Sequence, residues 1–430
     1  LTPAQFAAIS TMSTWHPKAS NDNLSFTTDN AALFSLPAGD VGFAGAIEYG
    51  QQSYRVNPDP LALTEDAYYG PRYGDGRGDR DRWGVAGEFR VPLLESLQAS
   101  VAGRYDEYSY ASQSPGKFTY NLGLEWRPLD ALLLRGSYGT GFRAPDMHYL
   151  FAGLDYYRTT FATDYYACRT DEPGYSDGEC YDDGSWDGST FDVYQGNMEL
   201  DVETSKSFTA GLVWSPTDNF DLAVDYYKIE ISNQVQSQDR ERLRATEADC
   251  RLGVTDTGEL VDINSPTCVD ALARVIREDP NDPLSPITSV HFTPINIARE
   301  ETSGIDVTAN YRLQTAAAGD FAFSGAYTFA HKHTRQQYPG DPIEDMLDVS
   351  FAATTLPRVK GNLGVNWDRD AWGASLFGNY LGRVANYNND AWTPATWRFN
   401  AGTRYDVNDH LRLSLSVHKL LDKMPPKDAT

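Results

Sequence analysis

The side chains best equipped for chemistry are aromatic and acidic, and they crowd into one stretch. Between residues 143 and 203 stand Tyr149, Tyr156, Tyr157, Tyr165, Tyr166, Tyr175, Tyr181, Trp186 and Tyr194, interleaved with Asp155, Asp164, Asp182, Asp183 and Asp187. Ring faces stack on sugar rings and carboxylates accept from hydroxyls, so this mixture suits a hydroxyl-rich ligand and repels an anionic iron chelate. The candidate ligand contacts are Arg143, Asp146, Tyr149, Tyr156, Tyr157, Tyr165, Tyr166 and Trp186. A structural role competes with this one, because so long a connection needs a core of its own and the same rings would supply it.

Other reactive groups are sparse. Cys168 and Cys180 fall in the stretch 143–203, and Cys250 and Cys268 in the stretch 235–299. Of the three connectivities, local pairing is the most economical: Cys168 with Cys180 and Cys250 with Cys268. Each bridge would close a loop of about 13 to 19 residues, worth roughly 3 kcal/mol of constraint on the unfolded chain. A zinc site is the alternative, but it lacks a C-x₂-C pair and a nearby histidine. The run Asp182–Asp187 lacks the ordered ligand spacing of a calcium loop, and His331 and His333 form no more than a pair at a strand rim. No nucleophile elbow, HExxH or Walker loop occurs, so the sequence offers neither an enzyme nor a cofactor or metal site.

The elements that must carry these groups are strands. From Lys117 to Arg127 the even positions read Phe118, Tyr120, Leu122, Leu124, Trp126 and the odd positions Lys117, Thr119, Asn121, Gly123, Glu125, Arg127. This period of two recurs and predicts fourteen strands, at about 24–36, 41–56, 81–92, 97–110, 117–127, 131–142, 204–215, 220–234, 300–313, 320–332, 355–368, 371–383, 396–406 and 411–420. Tight turns rich in Pro, Gly, Asn and Asp alternate with longer connections at about 57–80, 111–116, 143–203, 235–299, 333–354 and 384–395. That asymmetry predicts an all-β fold, a transmembrane antiparallel up-and-down barrel with periplasmic turns and extracellular loops. Soluble sandwiches also alternate, but many strands here reach the ~9–11 residues of a tilted membrane crossing, beyond the usual ~5–6. The polar positions Glu48, Glu88, Arg90, Arg104, Asp106, Glu125, Arg127, Arg135, Asp225, Asp306 and Arg404 would line a wet lumen.

Composition agrees. Aromatic residues make up 13% of the 430, and the net charge of −24 excludes a nucleic-acid partner, which requires a basic face. No run of 18 apolar residues is present, which leaves a strand-built membrane protein open because its hydropathy averages low. The start Leu1-Thr2-Pro3-Ala4-Gln5 has no signal-peptide pattern, and Pro425–Thr430 reads as a loop, so the chain is expected to be an internal segment.

Three motifs carry a resemblance. Tyr138-Gly139-Thr140-Gly141-Phe142-Arg143-Ala144-Pro145 resembles the G-F-R-A-P run of the TonB-dependent receptors, where a strand rises into an extracellular loop. Asn197-Met198-Glu199-Leu200-Asp201-Val202-Glu203-Thr204-Ser205 resembles that family's N-P-x-L-x-P-E-x-S, with Met198 and Val202 in place of both prolines. Lys419-Leu420-Leu421-Asp422-Lys423 resembles N-L-F-D-K before the last strand, with Lys419 for Asn and Leu421 for Phe. The motifs occur in the family's order across essentially the whole chain. The resemblance implies that residues 1–430 form one barrel domain holding about strands 8 to 21 of 22, with extracellular loops 143–203 and 235–299 and the plug domain elsewhere. It further implies TonB-driven uptake of an unknown nutrient across a Gram-negative outer membrane, amid outer-membrane lipid and lipopolysaccharide. A siderophore receptor of the same family and a passive porin are the alternatives to an oligosaccharide ligand.

Overall fold

The structure, a computed structural model, describes residues 2–10, 12, 14, 16–60, 74–111, 113–338, 341–351, 354–386 and 389–421. Residues 61–73 of the connection 57–80, Asp422 and Lys423 of the last motif, and Pro425–Thr430 lie outside the described residues.

Fourteen strands follow one another in a single antiparallel wall. They are β1 (Lys18–Leu36), β2 (Gly39–Arg55), β3 (Arg77–Leu94), β4 (Leu97–Ser109), β5 (Gly116–Leu129), β6 (Leu132–Arg143) and β7 (Glu203–Thr217). The path continues through β8 (Phe220–Ser237), β9 (Pro294–Thr315), β10 (Gly319–Gln336), β11 (Val359–Arg369), β12 (Trp372–Leu381), β13 (Thr396–Asn408) and β14 (Leu411–Val417). Each expected strand has its counterpart. Several reach further than expected at the long-loop rim; β9 starts at Pro294 because its ladder with β8 continues to Ser237. β14 stops at Val417, two residues before Lys419 takes a left-handed φ of 54°. No described strand joins β1 to β14, so the wall is partial and does not close.

The alternation decides which face is which. Leu24, Phe118 and Leu415 stand 74%, 60% and 63% exposed, so no second sheet is stacked on their face as a sandwich would require. Charges on the opposite face pair within a strand or reach over an intervening strand to the next one. Arg104 holds Asp106 at 2.6 Å and Glu48 at 2.5 Å, Arg135 grips both oxygens of Asp225 at 2.9 and 2.6 Å, and Arg404 meets Asp368 at 2.5 Å. Glu88, Arg90, Glu125, Arg135, Asp225 and Asp306 share one inner-wall cavity of about 560 Å³.

At the turn rim the joints are short. Between β9 and β10, Gly319 takes φ +86°, and an added Cβ would lie 2.4 Å from the Asp368 carbonyl oxygen. At the opposite rim, the two longest connections fold together. Strands Asp155–Thr163, Asp187–Tyr194, Val275–Arg277 and Ile287–Phe292 form one sheet, in which Asp187–Tyr194 pairs in parallel with Ile287–Phe292. Four helices accompany it: Tyr165–Asp171, Asp177–Asp183, Arg240–Leu252 and Pro266–Arg274.

Candidate ligand site at the barrel mouth

The path of the first long connection is set where β6 ends. Arg143 clamps both carboxylate oxygens of Glu203 at 2.7 and 2.8 Å, closing the β6–β7 ladder. Pro145 removes a donor and turns the chain out of the ladder. Its carbonyl accepts from the buried Arg80 of β3 at 2.6 Å, which draws the connection across the mouth. The helix Met147–Phe151 then packs on the ends of β2 and β3. Gly78 makes room for it, since a Cβ there would meet the Phe151 ring at 2.2 Å. The Tyr54 hydroxyl and His148 Nδ1 are 2.8 Å apart, and the His148 ring stacks on Tyr194 at 5.6 Å.

The two connections share a core. Ala152 and Tyr194 from the first pack with Leu243, Val275, Ile287, Val290 and Phe292 from the second. At the edge of the loop sheet, opposite Ile287, Arg277 is 4% exposed and bonds both oxygens of Glu247 at 2.9 Å and both oxygens of Asp164 at 2.7 and 2.9 Å. One guanidinium thus ties the second connection, where it holds the buried Glu247, to the half-buried Asp164 of the first. Disulfides Cys168–Cys180 and Cys250–Cys268 are both formed, as expected. Cys168 and Cys180 pack with Tyr165 and Ala248.

A second ion cluster lies beside the first bridge. Arg169 donates to Asp249 at 2.6 Å, to Asp177 at 3.3 Å and to the Val254 carbonyl at 2.7 Å. Burial, and next the nearby Asp256 charge, push the Asp177 carboxyl up to about 6. Burial also raises Asp249, against the pull of Arg169.

Between this folded pair of connections and the ends of β8 and β10 lies a pocket of about 570 Å³, lined by His148, Tyr149, Tyr157, Tyr194, Ser237, Gln238, Asp239, Arg240, Phe292 and Gln337. Half of its lining residues carry rings. Its one guanidinium, Arg240, is spoken for: it binds Asp192 at 3.0 Å and lies 5.2 Å above the Phe292 ring. Asp239 caps the helix Arg240–Leu252 by accepting from the backbone N–H groups of Glu241 and Arg242. The Tyr194 hydroxyl is buried without a hydrogen-bond partner among the described residues. Burial, with Tyr149 and Asp155 nearby, raises its pKa and keeps it a neutral donor. The arrangement therefore offers stacking faces, hydroxyls and amides with little net charge, which suits a ligand with rings and hydroxyl groups.

The sequence candidates divide by location. Tyr149 and Tyr157 line the pocket. Arg143 belongs to the Glu203 clamp, and Asp146 sits exposed at the N-terminus of the helix Met147–Phe151. Tyr165 is buried and donates to Glu241 at 2.9 Å. Tyr166 lies under the Arg251 and Arg277 guanidinium groups at 5.7 and 5.6 Å. Trp186 donates to Asp171 at 3.0 Å and meets the Tyr175 ring edge-on. Tyr156 is half-buried and pairs with Val193 in the loop sheet. Sequence reasoning passed over Ser237, Gln238, Asp239, Arg240, Phe292 and Gln337. The one local signal among them was Asp239, a capping residue directly before a helical run.

A family model described as TonB dependent receptor-like, beta-barrel, matches residues 4–419. Among solved structures, the siderophore receptor PirA from Acinetobacter baumannii superposes with a TM-score of 0.58 at 13% identity, over 96% of this chain and 51% of that one. A mutant of the ferric enterobactin receptor PfeA from Pseudomonas aeruginosa gives 0.60 at 12% identity, over 95% and 49%. A double mutant of the Serratia marcescens hemophore receptor HasR, in complex with its hemophore HasA and heme, gives 0.56 at 13%, over 95% and 57%. The chain thus spans about half the length of these receptors. No curated protein sequence matches it.

Proposed function

The chain belongs to the TonB dependent receptor-like β-barrel family, whose members are outer-membrane proteins of Gram-negative bacteria, and from that premise we propose that it is most of the wall of a gated uptake receptor. It is a transporter component and not an enzyme. TonB engages a part of the protein outside this chain, and the mouth pocket holds the nutrient before transfer inward.

The observation that carries the ligand class is the pocket wall of Tyr149, Tyr157, Tyr194, His148 and Phe292, in which the one cation is already held by Asp192. Around it, residues 144–202 and 238–293 hold 24 Asp and Glu against 8 Arg and no Lys. An anionic chelate approaching this mouth meets repulsion, and the pocket has no unengaged guanidinium to receive it. A neutral oligosaccharide meets ring faces and hydroxyl partners. The receptors of siderophores named above differ at this level of sequence too much to transfer their ligands.

Binding of the purified full-length receptor to oligosaccharides and to ferric chelates, together with growth of a deletion strain on each, tests the reading. Oligosaccharide binding weakened by Tyr157→Ala supports it. Binding of ferric chelates alone, with induction only by iron starvation, overturns the sugar assignment while leaving the receptor reading in place. Steady solute leakage through liposomes carrying the intact protein, without TonB, overturns gated uptake in favour of a passive pore.

A further inference from the structure

The charges around the mouth pocket do not balance. Apart from the His148 imidazole, whose Nδ1 lies 2.8 Å from the Tyr54 hydroxyl, its lining carries one guanidinium, Arg240, and one carboxylate, Asp239. Arg240 is neutralised by Asp192, which is 2% exposed and 3.0 Å away. Asp239 has no such partner. Its Oδ1 accepts from the backbone N–H groups of Glu241 and Arg242 at 2.9 and 3.3 Å, and its Oδ2 accepts from no described residue. The nearest cation in sequence beyond Arg240, Arg242, is held by both oxygens of Asp341 at 2.7 and 2.6 Å and lies 4.1 Å above the Tyr338 ring.

A second carboxylate stands behind the ring wall. Asp155 is 6% exposed and accepts from the Tyr157 hydroxyl at 3.4 Å and from the Gly74 N–H at 2.7 Å, with no ion pair within 4.0 Å among the described residues. The rings add to the same preference, because an aromatic face attracts a cation. The pocket already shows this contact in the Arg240 guanidinium, 5.2 Å above Phe292. Ring faces and uncompensated carboxylates together make a site for a positive group.

We propose that the pocket selects an oligosaccharide that bears ammonium groups, an amino sugar with its amine free, over the neutral N-acylated form. This rests on the oligosaccharide reading of the mouth. Tyr149 and Tyr157 supply faces for the sugar rings, the open Oδ2 of Asp239 receives an ammonium, and Asp155 adds negative potential from beyond the Tyr157 hydroxyl. Acylation of the amine removes the charge these groups favour, and a carboxylated sugar meets Asp239 with like charge.

The test is calorimetry on the full-length receptor purified in detergent, titrated with β-linked oligomers of glucosamine, of N-trimethylglucosamine as a fixed cation, of N-acetylglucosamine and of glucose, and with spermine as an amine without a sugar. The two cationic oligomers should bind about tenfold tighter than the N-acetylated one. Raising salt from about 50 to about 500 mM should narrow that difference, since the charges are then screened. Asp239→Asn keeps the capping oxygen and removes the charge; it should weaken the cationic oligomers about tenfold and leave the N-acetylated one within about twofold. Asp155→Asn should weaken the cationic oligomers about threefold. Glu259→Gln removes the same charge beyond the far end of the 13-residue helix Arg240–Leu252, roughly 18 Å away by helical rise, and should change none of them by more than about twofold.

Equal affinity for cationic and N-acetylated oligomers, a preference that survives Asp239→Asn, or binding of glucose oligomers alone overturns the proposal and leaves the oligosaccharide reading standing. Spermine bound as tightly as the glucosamine oligomer overturns the sugar assignment by showing a plain polyamine site. Binding of ferric chelates with none of the sugars defeats the oligosaccharide reading and the proposal with it. Folding is read from heat-modifiable gel migration; should Asp239→Asn fail it, the salt dependence of the wild-type preference carries the test, and a preference indifferent to salt overturns the proposal.

Discussion

Replacing Arg277 by Met, of similar length and without charge, should uncouple the two long connections while leaving the barrel wall intact. Arg277 makes two bonds to Glu247 and two to Asp164, and its Nη1 also donates to the Ser285 carbonyl at 2.9 Å. Removing one member of a buried ion group costs about 3–5 kcal/mol, because the remaining charges lose compensation. The low end applies here. Glu247 keeps its contact with Arg251, and Asp164 still caps its helix through the Ala167 N–H. A loss of about 3 kcal/mol corresponds to roughly a hundredfold change in the local opening equilibrium. Hydrogen exchange on the full-length receptor reads it directly: amides of Asp187–Tyr194 and Ile287–Phe292 should exchange about a hundredfold faster, and those of β9 and β10 at unchanged rates. Adding Asp164→Asn and Glu247→Met should restore most of the protection, since the stranded carboxylates are then gone. The reasoning fails if the two strands keep their protection within threefold in Arg277→Met, or if the triple variant is no better than the single one.

Further outcomes follow from other contacts. Folding raises the Asp177 carboxyl from 3.8 to about 6, so the folded form binds more protons between those values and stability falls as pH rises from about 4 to 6. Asp177→Asn should therefore make helix Asp177–Asp183 more protected at pH 7.5, by about 2–3 kcal/mol, and flatten the pH dependence of its exchange; a wild-type profile unchanged over this range contradicts the account. Opening the Cys168–Cys180 bridge with Cys168→Ser and Cys180→Ser should cost roughly 3 kcal/mol locally, seen as faster proteolysis of residues 164–187. Tyr149→Ala and Tyr157→Ala should each weaken ligand binding by about tenfold or more, whereas Trp186→Ala should act on loop stability with a smaller effect on affinity in calorimetry.

The wall of the barrel was legible in the residues alone because its rule is local. Phe118 to Trp126 alternate with Thr119 to Glu125, and a strand obeying a period of two needs no knowledge of its neighbours to tell which side meets hydrocarbon. The hairpin turns are equally local, as Gly319 illustrates with a φ that L residues avoid. Cysteine spacing also sufficed for the two bridges, since each pair sits in one connection.

The mouth escaped that reading. Tyr157, Tyr194, Arg240 and Phe292 become neighbours only because Asp187–Tyr194 and Ile287–Phe292, about a hundred residues apart, pair in parallel. Nothing periodic marks which tyrosine in a long connection faces a ligand and which, like Tyr165, fills a core. Local alternation determines the surface on which a residue lies. Long-range pairing decides which residues share a site, because that depends on the energy of contacts between segments whose separation no short pattern encodes.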